Sequence, residues 1–261
     1  MTDEPQHHHL EPPPTLALGL SDAWHEKQKR RGYSNHDTAF PTRRVSIAEL
    51  ADHILAGRAF AVGTYKHAHR KNDNFIAAQV IALDYDTGDV SVADLLRLPF
   101  VRQYAAIVYP TPSSTAEQHR TRALFVLSEP VPSTGAWRSL AKAVAAHIGL
   151  DADNASWDAA RRFFGSTNSI EAAHVNTAAL LPLTVAGALT VSEARQEREA
   201  YEAELRRRDQ PAAQLSGTAL EAYVQAALDD ELGTLRSTTN GRNNALHKAA
   251  FALGTLVSAN W

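Results

Sequence analysis

Two rhythms of apolar and polar residues run along the chain, and a change of rhythm marks each element. "VSIAELADHILAG" (45–57) opens on Ser46, has Glu49 three residues on and closes at Gly57. Its apolar positions recur at helical spacing, so a capping box, an amphipathic helix and a glycine stop are expected there. "IAAQVIALDY" (76–85) is a continuous apolar run and reads as a buried strand. "SVADLLRLP" (91–99) follows as a short helix ended by Pro99, then "YAAIVYP" (104–110) and "RTRALFVLS" (120–128) as strands. "STGAWRSLAKAVAAHIG" (133–149) has a Ser/Thr cap and a terminal glycine around a helical pattern, and "RRFFGS" (161–166) is a final short strand.

The order is βαββαβ, an α/β (α+β) arrangement of the split-βαβ, RRM or ferredoxin-like kind. In that topology the first strand lies between the third and the fourth, antiparallel to both. The end of strand one would then sit beside Arg120 and Arg122 at the start of strand three. It would also sit beside Asp153, Asp158, Arg161 and Arg162 at the approach to strand four.

Beyond residue 188 the rhythm changes again. "VSEARQEREAYEAELRRRD" reads as a charged helix with little apolar face, and "QPAAQLSG" (210–217) as a linker. "TALEAYVQAALDDELGTL" and "NNALHKAAFALGTLV" are two further amphipathic helices, the start of a small all-α domain. The expected division is a disordered tail over 1–20, an α/β domain over 21–187, a charged helix and linker over 188–217 and a helical domain over 218–261. The last reads as part of a longer protein.

Composition narrows the possibilities. The chain has 261 residues and no cysteine, which excludes a disulfide framework and a thiolate zinc site. No apolar run reaches the roughly 18 residues of a membrane span, and "MTDEPQHHHLEPPP" is unlike a signal peptide, so a cytoplasmic protein without a membrane partner is expected. Net charge is −3, yet basic clusters recur from residue 25 to 162, in "HEKQKRRGY", "TRR", "HAHRK", "HRTR" and "ARR". Each alone is a solvated face; several around a carboxylate pair point further.

That pair is Asp84 and Asp86 in "IALDYDTGD". Residues two apart on a strand share a face, so two like charges sit together and a cation is the usual remedy. An EF-hand loop fails, because its fifth position would be Gly88 and its twelfth Leu95. "DTGD" is also plain turn chemistry. Hard oxygen donors favour Mg²⁺ or Mn²⁺, and a third carboxylate, Asp153 or Asp158, would complete a two-metal site. Arg120 and Arg122 read as a solvated edge strand or as a phosphate clamp. His119 reads as a surface residue.

Taken together, "LDYD", "YPTPSST…HRTRALFVLSEP" and "DADNASWDAARRFFGSTN" resemble the three motifs of archaeo-eukaryotic-type primases, closest to the primase–polymerases of phages and plasmids. The resemblance covers roughly residues 40–170, and "TTNGRNNALHKAAFALGTL" resembles the helical domain that follows in those replication proteins. It implies a palm-like catalytic domain that transfers nucleotides onto a single-stranded DNA template, with nucleoside triphosphates as substrates and a helicase domain or protein as a further partner. By the resemblance, Asp84, Asp86 and Asp153 are the catalytic, metal-holding carboxylates, with Asp158 the rival of Asp153. Ser114, His119, Arg120, Arg122 and Arg161 are the nucleotide-binding candidates. Ser114 stands where close relatives carry histidine in a Ser-His-Thr loop, a departure that leaves that loop's role open. The rival readings are a metal-dependent nuclease or replication initiator, and a non-catalytic origin-binding protein. Tyr85, placed to point away from the carboxylates, is a poor nucleophile for the first.

Overall fold

The computed structural model describes residues 15–25, 38–209, 217–238, 246 and 248–250. The chain divides into two compact units, residues 1–198 and 199–261.

In the first unit the strands are β1 (Thr15–His25), β2 (Thr42–Ser46), β3 (Arg58–Ala61), β4 (Gly63–Tyr65), β5 (Phe75–Gly88), β6 (Ala105–Pro110), β7 (His119–Val131), β8 (Arg162–Phe163) and β9 (His174–Val175). The helices are α1 (Ile47–Leu55), α2 (Val92–Arg97), α3 (Pro99–Tyr104) and α4 (Thr134–Ile148). α5 (Leu183–Asp209) begins in this unit and runs past its boundary; α6 (Gly217–Ser237) lies in the second. The fold is mixed α+β, with two antiparallel sheets ordered β2-β1-β3-β8 and β4-β5-β7-β6-β9.

The helix signals in the sequence act as expected. The Ser46 hydroxyl accepts from the Glu49 amide at 3.2 Å while the Glu49 carboxylate accepts from the Ser46 amide at 2.7 Å, closing the capping box of α1. Ser91 and Asp94 form a second box on α2. Pro99 does more than end α2: Leu98 before it is extended, and Pro99 itself occupies the first turn of α3. α4 is capped by Ser133 and stops at Gly149, whose φ is 74°. The Trp137 indole N–H donates to the Val80 carbonyl at 2.9 Å and fastens α4 to β5.

Strand order departs from the expectation at one place. β5 pairs with β7, and β7 with β6, as the split-βαβ pattern requires. On its other side β5 pairs with β4, and β8 joins β3 in the other sheet. The reason lies in the backbone of Asp84. Its carbonyl accepts from the Asp153 amide at 2.8 Å, and its amide donates to the Ser156 hydroxyl at 3.2 Å. The segment before β8 therefore satisfies this part of β5, and the chain moves on before it can add a strand there. After β8, the Gly165 and Ser166 amides donate to the Arg58 and Ile54 carbonyls, each at 2.9 Å. A Cβ at Gly165 would stand 2.2 Å from the Ile54 oxygen, so only glycine allows the crossing.

A second departure concerns the N-terminus. The expected tail over 1–20 gives way to a strand from Thr15, because Leu16, Leu18 and Leu20 alternate into the main core at 2% exposure or less. Residues 1–14, residues 210–216 of the linker expected over 210–217 and most of the last expected helix lie outside the described residues, and Gly217 begins α6. Among the described residues no helix is long and apolar enough to cross a membrane.

Candidate nucleotide site

Asp84 lies near the end of the buried part of β5, directly across from Arg122 on β7. Its carboxylate is almost wholly buried and accepts from two guanidinium groups. Arg122 engages it twice, through Nε to Oδ1 and through Nη2 to Oδ2 at 3.1 Å; Arg161 Nη2 donates to Oδ2 at 2.9 Å. The remaining Nη1 of Arg122 donates to the Tyr109 hydroxyl at 2.7 Å and to the Phe164 carbonyl at 2.6 Å. Its guanidinium also lies 4.8 Å from the centre of the Phe163 ring. Arg122 is itself only 6% exposed. Burial works against its charge, but Asp84 and Tyr109 outweigh that and its pKa is raised. Burial pushes the Tyr109 phenol up to about 12.

Arg161 carries the network outward. Its Nη1 donates to Asp153 Oδ2 at 2.9 Å, so one guanidinium bridges Asp84 and Asp153. Burial opposes the Asp153 charge, but the Ala155 amide and Arg161 hold its carboxyl below the usual carboxylate range. Asp158 stands apart: its Oδ1 accepts from Asn72 Nδ2 and from the Ala160 amide, each at 3.0 Å.

Asp84 and Asp86 line a cavity of about 170 Å³ together with Arg120, Arg122, Arg161, Arg162 and the Thr111–Ser113 loop. That is smaller than the roughly 300–1,000 Å³ of drug-sized ligand sites, and suits phosphate groups better than a whole nucleotide. Asp86 is exposed at its mouth. Four arginines against two carboxylates leave the cavity with an excess of positive charge, the setting for a polyanion.

Two of the nucleotide-binding candidates lie elsewhere. Ser114 is buried in the loop, where its hydroxyl accepts from the Arg120 amide at 2.9 Å and its carbonyl accepts from Asn168 Nδ2 at 2.8 Å. Its neighbour Ser113 lines the cavity instead. His119 Nδ1 lies 2.7 Å from Glu171 Oε1. Reading the sequence also passed over Tyr109 and Phe164. Tyr109 was legible as the cross-strand partner of Arg122, but only once the β6–β7 register was known.

The donor chemistry of Asp84 and Asp86 fits a hard divalent ion such as Mg²⁺ or Mn²⁺. Asp86 is open to it, whereas Asp84 already takes three of the about four hydrogen bonds a carboxylate can accept. The Asp153 carboxylate is linked to that of Asp84 through Arg161 rather than directly. Among the described residues no three His, Cys, Asp or Glu side chains are gathered to hold a metal ion.

Against known families, residues 44–186 match the VapE N-terminal domain. The chain belongs to that family. Among solved structures it is similar to the AEP domain of the primase-polymerase (PrimPol) of cyanophage S-2L, at 14% identity and a TM-score of 0.37, over 67% of this chain and 86% of that one. No curated protein matches it. The matched segment of this VapE N-terminal domain runs from β2 into the first turn of α5 and contains every residue of the cavity.

Proposed function

We propose that this chain is a primase–polymerase that transfers nucleotides to a growing strand on a single-stranded DNA template. The observation that carries the reading is the cavity at the end of β5, where Asp84 and Asp86 meet Arg120, Arg122, Arg161 and Arg162. An arginine-lined cavity beside a carboxylate pair is what a nucleoside triphosphate and its counter-ion require.

In this reading Arg120, Arg161 and Arg162 hold the β and γ phosphates and stabilise charge on the departing pyrophosphate. Arg122 is a positioning residue: buried and fully engaged, it fixes the Asp84 carboxylate. Asp84 and Asp86 would hold a divalent ion, with Asp153 completing a two-metal set once Arg161 turns to phosphate. Such ions, when bound, lower the charge of the triphosphate and the pKa of the attacking 3′ hydroxyl. Tyr85 is wholly buried, which argues against a tyrosine-nucleophile initiator.

Incubation with primed single-stranded DNA, labelled nucleotides and Mn²⁺ tests the reading. Extension that disappears in Asp86→Ala is expected. Cleavage of the DNA would make this a nuclease, and binding with neither reaction would make it a non-catalytic replication protein.

A further inference from the structure

Between β4 and β5 the chain makes a nine-residue connection, Lys66 to Asn74, that the cavity does not use. It is strongly basic: Lys66, His67, His69, Arg70 and Lys71 stand against one acid, Asp73. Lys66, His67 and Lys71 are exposed, and Ile76, which follows the turn, is 48% exposed.

The loop is also built rather than loose. His67 and Ala68 have φ of 58° and 54°, the left-handed region that residues with a Cβ rarely adopt in succession. Strain of this kind persists only where the surroundings over-determine it. Here they do. The His69 amide donates to the Lys66 carbonyl at 3.0 Å, the Lys71 amide to the His69 carbonyl at 2.9 Å, and Asn74 Nδ2 to the His69 carbonyl at 3.1 Å. The guanidinium of Arg70 lies 5.4 Å from the centre of the Phe40 ring.

Three side chains at or beside the loop then tie it to the turn before Arg161. The Tyr65 hydroxyl donates to the Ala159 carbonyl at 2.5 Å, Arg70 Nη1 donates to the Ala160 carbonyl, and Asn72 Nδ2 donates to Asp158 at 3.0 Å. Arg161 and Arg162 follow directly and line the cavity.

We propose that the Lys66–Lys71 loop is a docking site for the backbone of single-stranded nucleic acid, set rigidly against the cavity; this rests on the polymerase reading above. Lys66 and Lys71 meet phosphates, and the exposed His67 ring and Ile76 offer surface to unstacked bases. A loop already ordered by its own hydrogen bonds loses little freedom on binding. Its ties to residues 158–160 hold the strand in fixed register with the triphosphate.

The test is fluorescence anisotropy with a labelled single-stranded oligonucleotide across a salt series, without nucleotide or metal. Lys66→Ala/Lys71→Ala should weaken binding about tenfold at low salt. It should also reduce the slope of log affinity against log salt by about 1.4, two phosphates at roughly 0.7 each. Arg102→Ala/Lys142→Ala, two exposed charges on α3 and α4, should change neither. Binding of a fluorescent nucleotide should be the same in the loop variant as in the parent chain. Unchanged affinity and slope in the loop variant, an equal loss in the α3/α4 variant, or a preference for duplex DNA each overturn the proposal. Because no nucleotide is turned over, a chain that binds through the loop but does not extend primers would leave this inference standing and sink the polymerase reading alone.

Discussion

Two places in this molecule have the same ingredients: one aspartate and two arginines. Asp84 is held by Arg122 and Arg161; Asp22 on β1 is held by Arg43 and by Arg58, the latter at 3.3 Å. Their surroundings differ. The side chain of Asp84 is 2% exposed and that of Arg122 8%, whereas Asp22, Arg43 and Arg58 are each more than 40% exposed. Composition therefore says little about what such a triad does. In water the attraction is screened and each long side chain loses rotamer freedom, so an exposed pair contributes only about 0–1 kcal/mol. Out of water, each charge depends on the others to remain in place.

The largest effect follows from that contrast. Asp84→Ala leaves Arg122 buried beside Tyr109 with no counter-charge, and should destabilise the fold by about 3–5 kcal/mol in urea unfolding. Asp22→Ala should cost no more than about 1 kcal/mol. Equal losses would mean that burial is not what separates the two triads. From the sequence alone the fold is expected to survive Asp84→Ala, because losing one of two neighbouring carboxylates relieves their repulsion. Arg122 and Arg161 are already the cations that answer that repulsion.

Replacing both buried partners sharpens the point. Arg122→Met alone should cost about as much as Asp84→Ala, since it strands the carboxylate. Asp84→Leu/Arg122→Met should recover a good part of the loss, because apolar groups of similar size need no partner. The double variant should nevertheless fail to extend a primer. Stability and activity would then part company at one pair of residues, and a double variant as unstable as the singles would show that the pair's worth is not mutual.

How much of this was legible in advance depended on the range of the signal. α1, α2 and α4 are local events, set by Ser46 with Glu49, Ser91 with Asp94 and Ser133 with Gly149, and all were readable. Strands β5, β6 and β7 were readable too, and their register brings Asp84 to Arg122. β1 was missed because its Leu16, Leu18, Leu20 alternation begins immediately after a Pro-rich tail. β3 and β4 are too short to show a period; β8 was readable in "RRFFGS", but its partner was not, because it pairs over only two residues with β3, a hundred residues earlier. Burial is the part that local sequence does not carry. Asp84 and Asp22 both sit in strands, and only the packing around them places one inside and the other at the surface.

Arg161 lies between the two extremes, about a fifth exposed and shared by Asp84 and Asp153. Arg161→Gln should cost little stability, roughly 1 kcal/mol, since Arg122 still holds Asp84. On the polymerase reading its larger effect is on substrate: each charge-assisted bond to phosphate contributes about 1.5–3 kcal/mol, so nucleotide Kd should rise tenfold or more. Asp153→Asn weakens the competing acceptor and should leave nucleotide affinity near that of the parent chain while extension falls. Nucleotide binding unchanged in Arg161→Gln would remove Arg161 from the phosphate site and leave it as a structural bridge.

The smallest effect belongs to the exposed triad and shows itself through pH. His53 is buried beside Asp22, with Nδ1 4.0 Å from its carboxylate and Nε2 3.0 Å from the Ala59 carbonyl. Glu49, Asp52, Arg43 and Arg58 line a second pocket together with His53, apart from the one at Asp84. Burial lowers the His53 pKa below 6.5; the Ala59 carbonyl and Asp22 work against that, and Arg58 and Arg43 work with it. The unfolded chain therefore takes up this proton first as pH falls. Its contribution to stability is complete above about 6.5 and declines as pH drops from there toward the folded value. The urea midpoint should shift slightly downward between pH 7.5 and 5.5, a window in which the Asp22 carboxyl, held below the usual carboxylate range by its hydrogen bond to Arg43, stays charged. Asp22→Asn removes a nearby negative charge that helps the imidazolium, so the decline should steepen, while His53→Gln should flatten it. A decline that survives His53→Gln would assign the acid sensitivity to another histidine, and the exposed triad would then be silent in stability at every pH where the buried one is intact.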